Sequence, residues 1–80
     1  MAKTVTMASI QKTLLILAFI RRVIAETGES PTYREIAEEF KFRTVASVHG
    51  HVIKMEARGW ITRTPHVSRG IRVVGQRIAA

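Results

Sequence analysis

The stretch from residue 44 to residue 59 constrains this chain most, because its pattern predicts a helix with one apolar side and one bare side. Apolar residues at helical spacing predict that the first side faces a core. These residues are Val45, Val48, Val52 and Met55. The other side carries only small or polar residues near its start, namely Thr44, Ala46, Ser47, His49 and Gly50. A surface helix selected for stability alone would carry Glu, Lys and Ala there. We therefore expect a close approach by a ligand, and the major groove of DNA accepts a helix.

The distribution of charge supports a polyanionic ligand. The chain has a net charge of +7. Residues 43–80 carry Lys54 and six arginines against Glu56 alone. Residues 29–42, by contrast, carry four acids and two bases. A basic half of this kind is typical of a nucleic-acid binder, although charge alone also fits a basic surface that has no partner.

Length and composition exclude several other classes of protein. The 80 residues make one domain with one small core. The absence of cysteine excludes disulfides, thiolate metal sites and cysteine nucleophiles. The longest apolar run, residues 14–20, is too short to span a bilayer. Arg21 and Arg22 follow that run directly, without the small-residue cleavage site of a signal peptide, so we expect a cytoplasmic protein, associated with the nucleoid when bound to DNA.

Helical periodicity also predicts a first helix over residues 9–27, with its apolar residues on one broad face. Gly28 provides a stop signal, and Pro31 prevents the helix from continuing. Residues 1–8 show little pattern, and we expect them to form a flexible arm.

A short second helix is predicted to start after Thr32, which can form a capping box with Glu35. The free N–H groups of its first turn, at Thr32 and Tyr33, are a predicted seat for a phosphate. Residues 41–43 then make a tight turn into the third helix, with Phe42 as the expected core anchor. Two short helices joined by such a turn, the second with a bare N-terminal side, predict a helix-turn-helix.

Two β-like segments follow Gly59, which is expected to end the third helix. Residues 60–64 and 70–74 flank a loop and alternate inward apolar with outward polar side chains, as in a hairpin. A hairpin behind a helix-turn-helix is a wing. The sequence therefore predicts an α+β fold, a winged helix-turn-helix of three helices followed by a two-stranded β-hairpin wing. This domain would span residues 9–74, with residues 75–80 as a C-terminal tail.

Several motifs occur together and in order along the chain. They are Thr27-Gly28-x-x-Pro31-Thr32-x-Arg34-Glu35-Ile36-Ala37, Phe42, Ser47-Val48-His49-Gly50-His51-Val52, Gly59-Trp60-Ile61 and Ser68-Arg69-Gly70-Ile71-Arg72. This order closely resembles the N-terminal DNA-binding domain of LexA-type repressors, above all the Gram-positive branch, over residues 9–74. The resemblance implies a repressor, associated with the SOS response, that binds half-sites of a palindromic operator in double-stranded DNA as a dimer.

The resemblance also implies which residues touch DNA. In the family, the start of the third helix reads bases in the major groove, and the wing lies on the minor-groove side or the backbone. The implied base readers are Thr44, Ala46, Ser47, His49 and Gly50, with Arg43 at the edge and Ser68 and Arg69 on the wing. Small residues allow close approach, and Ser and His supply hydrogen bonds to base edges. The residues expected to neutralise phosphates are Lys54, Arg63, Arg69 and Arg72.

The sequence departs from the family at three points. Lys41 stands where a turn glycine is common, which predicts backbone strain or a shifted turn. Ala46 replaces an asparagine that one branch uses as a base reader, so the operator does not follow from that branch. The second LexA domain, a self-cleaving serine–lysine peptidase that also dimerises the repressor, has no counterpart in these 80 residues. We therefore expect either a fragment or a stand-alone repressor that does not cleave itself and is not an enzyme.

The first helix offers a candidate interface. Leu14, Leu15 and Ala18 lie opposite its predicted core face, and Ile10 and Leu17 extend their stripe along one edge. Such a patch is typical of a homodimer interface or a docking site for a partner protein, unless the helix is rotated slightly or the arm covers it. It supports an alternative function, a co-regulator or decoy that binds a larger repressor or polymerase through the first helix.

No constellation of residues predicts catalysis, a cofactor or a small-molecule substrate. His49 and His51 do not share a helix face and have no evident third ligand, so no metal site is expected. His49 is better interpreted as a groove residue and His51 as a flanking or backbone contact. Trp60 follows a helix-ending glycine and is expected to pack at the base of the hairpin.

Overall fold

Three helices precede a two-stranded antiparallel sheet in the computed structural model, which describes residues 3–67 and 69–76 and, among these, the side chains from residue 10 onward. The elements are α1 (Lys3–Thr27), α2 (Tyr33–Glu39), α3 (Val45–Ala57), β1 (Ile61–Arg63) and β2 (Ile71–Val73). In the sheet, Thr62 lies opposite Arg72. The predicted α+β winged helix-turn-helix is therefore confirmed. No helix in the described ranges is long and apolar enough to cross a membrane.

Helix α1 begins at Lys3, well before the start predicted at Ser9. Residues 3–8 are helical, so the prediction of a flexible arm is wrong for them, and residues 1 and 2 lie outside the described ranges. This segment contains no Gly or Pro, and extending an existing helix through such residues costs little. Among the side chains that the structure describes, the first buried ones in α1 are those of Thr13 and Ile16.

One hydrophobic core joins the helices to the hairpin. Its buried members are Ile16, Ile20, Ile24, Ile36, Ala37, Val48, Val52, Met55, Ile61, Ile71 and Val73. Phe42 and Trp60 are partly buried against this cluster, as predicted for both. Val45 was assigned to the same stripe, but it is 39% exposed. The reason is its place at the first turn of α3, where the helix has not yet reached the core.

Local sequence signals account for the ends of the helices. Thr32 and Glu35 form the predicted reciprocal capping box at the start of α2. Thr44 caps α3, and Gly28 and Gly59 follow α1 and α3 with positive φ angles of 84° and 78°. This conformation suits glycine because it has no Cβ. The capping and stop signals are thus confirmed.

The turn between α2 and α3 contains a left-handed residue that is not glycine. Lys41 has a φ of 58°, which agrees with the strain predicted where relatives commonly have glycine. The Phe42 N–H donates to the Ala37 carbonyl oxygen at 2.9 Å and holds the turn closed. The Phe42 side chain then packs between the rings of Phe40 and His51.

The side chain of His51 joins α1 to α3, and its predicted flanking contact with DNA stays a prediction. Its Nδ1 lies 2.8 Å from Oγ1 of Thr13, a residue that is 2% exposed. The imidazole also stacks on Phe42, with 5.6 Å between ring centroids. Burial, and then the positive charges of Lys54 and Lys12, lower the pKa of His51 below its usual value.

We expect the free energy of unfolding to fall as the pH drops below about 6.5, the ordinary pKa of histidine. Above that pH the His51 ring is neutral in both states. Below it the unfolded chain takes up a proton that the folded chain resists, so unfolding becomes more favourable. Denaturant titrations from pH 5 to pH 8 should show that the free energy of unfolding falls with decreasing pH in the wild type. The slope of this fall should be smaller in His51→Gln. The matched control is His49→Gln, on the exposed side of α3, and equal slopes in both variants would contradict the assignment.

Candidate DNA-binding surface

The first half of α3 presents one continuous exposed side, here called the outer face. It consists of Arg43, Thr44, Ala46, Ser47, His49 and Gly50, all exposed. Val48 and Val52, on the opposite side of the helix, are fully buried and anchor it in the core. The Ser47 N–H donates to Oγ1 of Thr44 at 3.4 Å, which organises the first turn. The six predicted major-groove residues therefore share one accessible surface.

Gly50 lies within this face at a position where the fold does not require glycine. A Cβ added there would meet no heavy atom within 4 Å, and its φ lies outside the left-handed region. Glycine inside a helix is less stable than alanine by ~1 kcal/mol. Gly50 thus makes α3 less stable than alanine would, and it leaves the outer face without a side chain at this position.

A cleft of about 890 Å³ separates the start of α3 from the hairpin. Thr32, Tyr33, Val45 and His49 line its helical side. Its other side is formed by the hairpin and its loop, from Arg63 to Ile71 apart from Ser68, which lies outside the described residues. The rings of Tyr33 and His49 lie 6.0 Å apart in this cleft. The fold therefore brings the start of α2 and the outer face of α3 to one site.

Two backbone N–H groups at the start of α2 already have hydrogen-bond acceptors within the chain. The Thr32 N–H donates to Oε1 of Glu35 at 3.0 Å, and the Glu35 N–H donates to Oγ1 of Thr32 at 3.1 Å. The Tyr33 hydroxyl accepts a hydrogen bond from Nη1 of Arg63 at 3.3 Å. The phosphate seat predicted at Thr32 and Tyr33 therefore contains a carboxylate, and a phosphate must approach from the cleft side.

Two wing arginines that were predicted to neutralise phosphates are bound within the chain. Arg63 donates from Nε to Oε1 of Glu56 at 2.9 Å. Arg69 donates from Nη1 and Nη2 to the two carboxylate oxygens of Glu35, at 3.0 Å and 2.8 Å. These bonds raise the pKa of both arginines, and the bond from Arg69 is the first cause of the lowered pKa of Glu35. Both guanidinium groups thus have carboxylate partners within the chain, and their predicted phosphate contacts stay predictions.

The other two predicted phosphate contacts do not line the cleft. Arg72 is exposed on the outward side of β2, and Lys54 is exposed in the last turn of α3. The pairs Glu35–Arg69 and Glu56–Arg63 were missed by reasoning from sequence. They join residues 34 and 7 positions apart, and helical spacing gives a signal only at three or four.

The predicted patch on α1 is exposed. Leu14 and Leu15 are 45% and 59% exposed, and Ala18 is exposed beside them. Ile10 and Leu17 are half-buried at its edge. The helix is therefore not rotated to cover these leucines, although an interface role stays a prediction. Among the described side chains, no group of three or more histidines and acids could hold a metal ion.

Comparison with known proteins identifies a matching family and several similar sequences. Residues 5–70 match the family described as the LexA DNA binding domain. The chain is 44% identical over 64 residues to the LexA repressor of Thermosipho melanesiensis, covering 80% of this chain and 32% of that protein. It is 41% identical over 59 residues to the LexA repressor of Caldicellulosiruptor saccharolyticus, covering 74% of this chain and 29% of that one.

A third relative, LexA repressor 1 of Geobacter sulfurreducens, is 43% identical over 61 residues, covering 76% of this chain and 30% of its own length. The chain thus spans about a third of the length of these relatives. The matched residues include the capped α2, the outer face of α3 and the hairpin as far as Gly70. This chain belongs to the LexA DNA-binding domain family.

Proposed function

We propose that this chain is the sequence-specific DNA-binding part of a transcriptional repressor, acting in the cytoplasm on the nucleoid. In this proposal α3 enters the major groove of an operator half-site. The observation that carries it is the outer face of α3, which is exposed, has small side chains at Thr44, Ala46 and Ser47, and includes a glycine that the fold does not need. Family membership supports the same assignment.

Each residue of the outer face has a use at a base edge. Ala46 can contact a thymine methyl group, and the side chains of Ser47 and His49 can hydrogen-bond to purine acceptors. Gly50 lets the helix backbone come close to the groove wall. Thr44 would read bases at the start of the helix, with Arg43 at the edge of the contact. These contacts would specify sequence, whereas phosphate contacts only position the domain.

The cleft between α3 and the wing would receive the sugar–phosphate backbone that separates the two grooves. Thr32 and Tyr33 lie on its helical side, and Ser68, which is outside the described residues, stays a predicted contact of the wing. Lys54 and Arg72 would contact phosphates outside the cleft. The logarithm of the binding constant should then fall with the logarithm of salt concentration by about 0.9 per phosphate neutralised.

Selection of bound DNA from random double-stranded oligonucleotides tests this function. We expect a consensus of two inverted half-sites whose centres lie about one helical turn apart, ~34 Å, or a multiple of it. Light scattering on the selected DNA should show two copies bound. A pool that yields no consensus after repeated rounds would overturn the assignment to a sequence-specific repressor.

Gly50→Ala should change stability and DNA binding in opposite directions. We expect the free energy of unfolding to rise by about 0.5–1 kcal/mol, because alanine is the better helix residue and the space is open. Binding to the selected operator should weaken, because the new methyl group stands between the helix and the groove. Thermal melts and fluorescence anisotropy measure the two effects. Ala57→Gly, at the far end of α3, is the control and should lower stability without weakening DNA binding.

A palindrome needs two copies, and we propose the patch of Leu14, Leu15 and Ala18, edged by Ile10 and Leu17, as the contact between them. Its borders carry Lys12, Arg21 and Arg22, all exposed. Because two copies would bring these like charges together, salt should strengthen the association by screening them. Salt should weaken DNA binding, so the two steps can be separated in one titration.

Leu14→Lys combined with Leu15→Lys should yield a folded monomer that still binds a single half-site. Charge is matched by Ala25→Lys combined with Ala57→Lys, which alters exposed positions outside the patch. Light scattering without DNA should show a lower mass for the first pair only. An unchanged mass would exclude the patch as the dimer contact. Capture of a larger repressor or polymerase through the patch, without any affinity for DNA, would favour the alternative function of a co-regulator.

A further inference from the structure

Arg69 links the hairpin loop to the start of α2, next to the hydrogen bond that Arg63 of β1 donates to the Tyr33 hydroxyl. Nη1 and Nη2 of Arg69 donate to the two carboxylate oxygens of Glu35, at 3.0 Å and 2.8 Å. This is the bidentate geometry that suits a planar guanidinium group. The same Nη1 donates to the Ser30 carbonyl oxygen at 3.1 Å. Glu29 lies next to the group, with 3.8 Å between its Oε1 and Nε of Arg69. Arg69 therefore holds the segment before α2 as well as its first turn.

The backbone conformation around Arg69 allows its side chain to reach Glu35. Arg69 has a φ of 59°, in the left-handed region that favours glycine. A Cβ on Gly70 would lie 2.9 Å from the Val67 carbonyl oxygen, so only glycine fits the close return of the loop. The Ile71 N–H then donates to Oγ of Ser30 at 3.3 Å, and Ser30 is 2% exposed. The start of β2 is thus attached to the loop before α2 at two points.

We propose that Arg69 is a positioning residue that clamps the wing to α2 and so sets the width of the cleft between the wing and α3. In this role Arg69 is not a phosphate ligand. This inference rests on the proposed function only in taking DNA as the occupant of the cleft. The family resemblance implied that Arg69 contacts DNA. The proposal differs because the guanidinium group of Arg69 pairs with Glu35 inside the chain.

Electrostatics favour the clamp over a phosphate contact. The carboxylate of Glu35 stands at the start of α2, where it accepts a hydrogen bond from the N–H of Thr32, a residue of the cleft wall. If Arg69 left it for a phosphate, a negative charge without its ion-pair partner would remain beside that wall. With Arg69 in place the pair is neutral and the wing is ordered before DNA arrives, which reduces the entropy lost on binding.

Two conservative substitutions separate the clamp from a phosphate contact. Glu35→Gln removes the charge but keeps a capping-box acceptor for the Thr32 N–H. Arg69→Lys keeps the positive charge that a phosphate needs but loses the planar pair of donors. Arg72→Lys, at an exposed position on the outward side of β2, is the matched control for hydrogen exchange.

Amide hydrogen exchange of the protein without DNA tests the clamp itself. We expect the Ile71 and Thr64 amides to exchange faster in Glu35→Gln and in Arg69→Lys than in the wild type and in Arg72→Lys. Core amides of α3 such as Val52 should be unchanged in all four proteins. Unchanged exchange at Ile71 in both variants would overturn the clamp. This test does not depend on the identity of the ligand, so it stands even if the protein binds no DNA and the proposed function fails.

Operator affinity then tests the role of the clamp in binding. We expect Glu35→Gln and Arg69→Lys each to weaken binding by about three- to tenfold, as for a well-oriented exposed pair. The double variant should be no weaker than either single variant, and the salt slope should stay at the wild-type value. A phosphate ligand predicts the reverse: Glu35→Gln binds more tightly because an acid is removed, and Arg69→Ala lowers the salt slope by about one. Either of those results would overturn the proposal.

Discussion

Ser47→Glu is expected to abolish operator binding and leave the domain folded. Ser47 is the third residue of α3, where its N–H already donates to the Thr44 cap. A glutamate at this position completes a capping box of the kind that Thr32 and Glu35 form in α2, and it complements the positive end of the helix dipole. The helix should therefore become slightly more stable.

The same carboxylate would stand on the outer face of α3 among the acceptors and phosphates of the major groove. Opposing like charges across an interface cost several kcal/mol, so we expect binding to weaken by about 100-fold or more. Fluorescence anisotropy with the selected operator measures the affinity, and circular dichroism melts measure stability.

Ala25→Glu is the matched control for Ser47→Glu, because it changes the net charge equally at an exposed position of α1. It should bind with an affinity reduced only by the small long-range term, which salt screens. Ser47→Ala should fall between the two, since it removes a hydrogen-bonding group without adding charge. Equal affinities for Ser47→Glu and Ala25→Glu would exclude the outer face of α3 as the DNA contact.

Ile20→Ala is expected to lower the free energy of unfolding by about 2–5 kcal/mol, the usual range for truncating a fully buried branched side chain. Ile20 has no exposed surface and belongs to the cluster that joins α1 to the other elements. A domain of this size has a total stability of only about 5–15 kcal/mol, and small domains lie near the lower limit. The variant should be partly unfolded at 37 °C.

Leu15→Ala provides the comparison on the same helix, because Leu15 is 59% exposed. As a surface substitution it should change stability by less than about 0.5 kcal/mol. Urea titrations of both variants at two protein concentrations measure the difference. Equal losses at low concentration would mean that the core is not where the structure places it. A loss at Leu15 that appears only at high concentration would support its burial by a second copy.

Much of the fold follows from signals that act within four residues of one another. Thr32 with Glu35 and Thr44 with Ser47 satisfy backbone donors of the turn that they begin, and Gly28 and Gly59 supply the positive φ that ends a helix. These interactions need no tertiary partner, so the sequence predicts them directly. Helical spacing likewise predicted the buried side of α3, because one face of a helix must meet the core.

The outer face of α3 was also visible in the sequence, for a related reason. A helix position that carries glycine or serine where alanine or glutamate would be more stable indicates a requirement other than stability. The exposed leucines of α1 were predicted on the same basis, since apolar residues opposite a core face have no intramolecular use. In both helices, residues that stability alone would not favour indicated the candidate contact surface.

The rest depended on contacts between residues distant in sequence. The residues that extend α1 from Ser9 back to Lys3 show no clear apolar periodicity, so helical spacing did not predict them. His51 was predicted as a flanking DNA contact, and local spacing did not indicate its hydrogen-bond partner Thr13, 38 positions away. Arg69 was predicted as a phosphate ligand, and local spacing did not indicate its ion pair with Glu35. Residue type and local spacing determine what a side chain can bind, but its actual partner is set by the packing of separate elements, which local spacing does not encode.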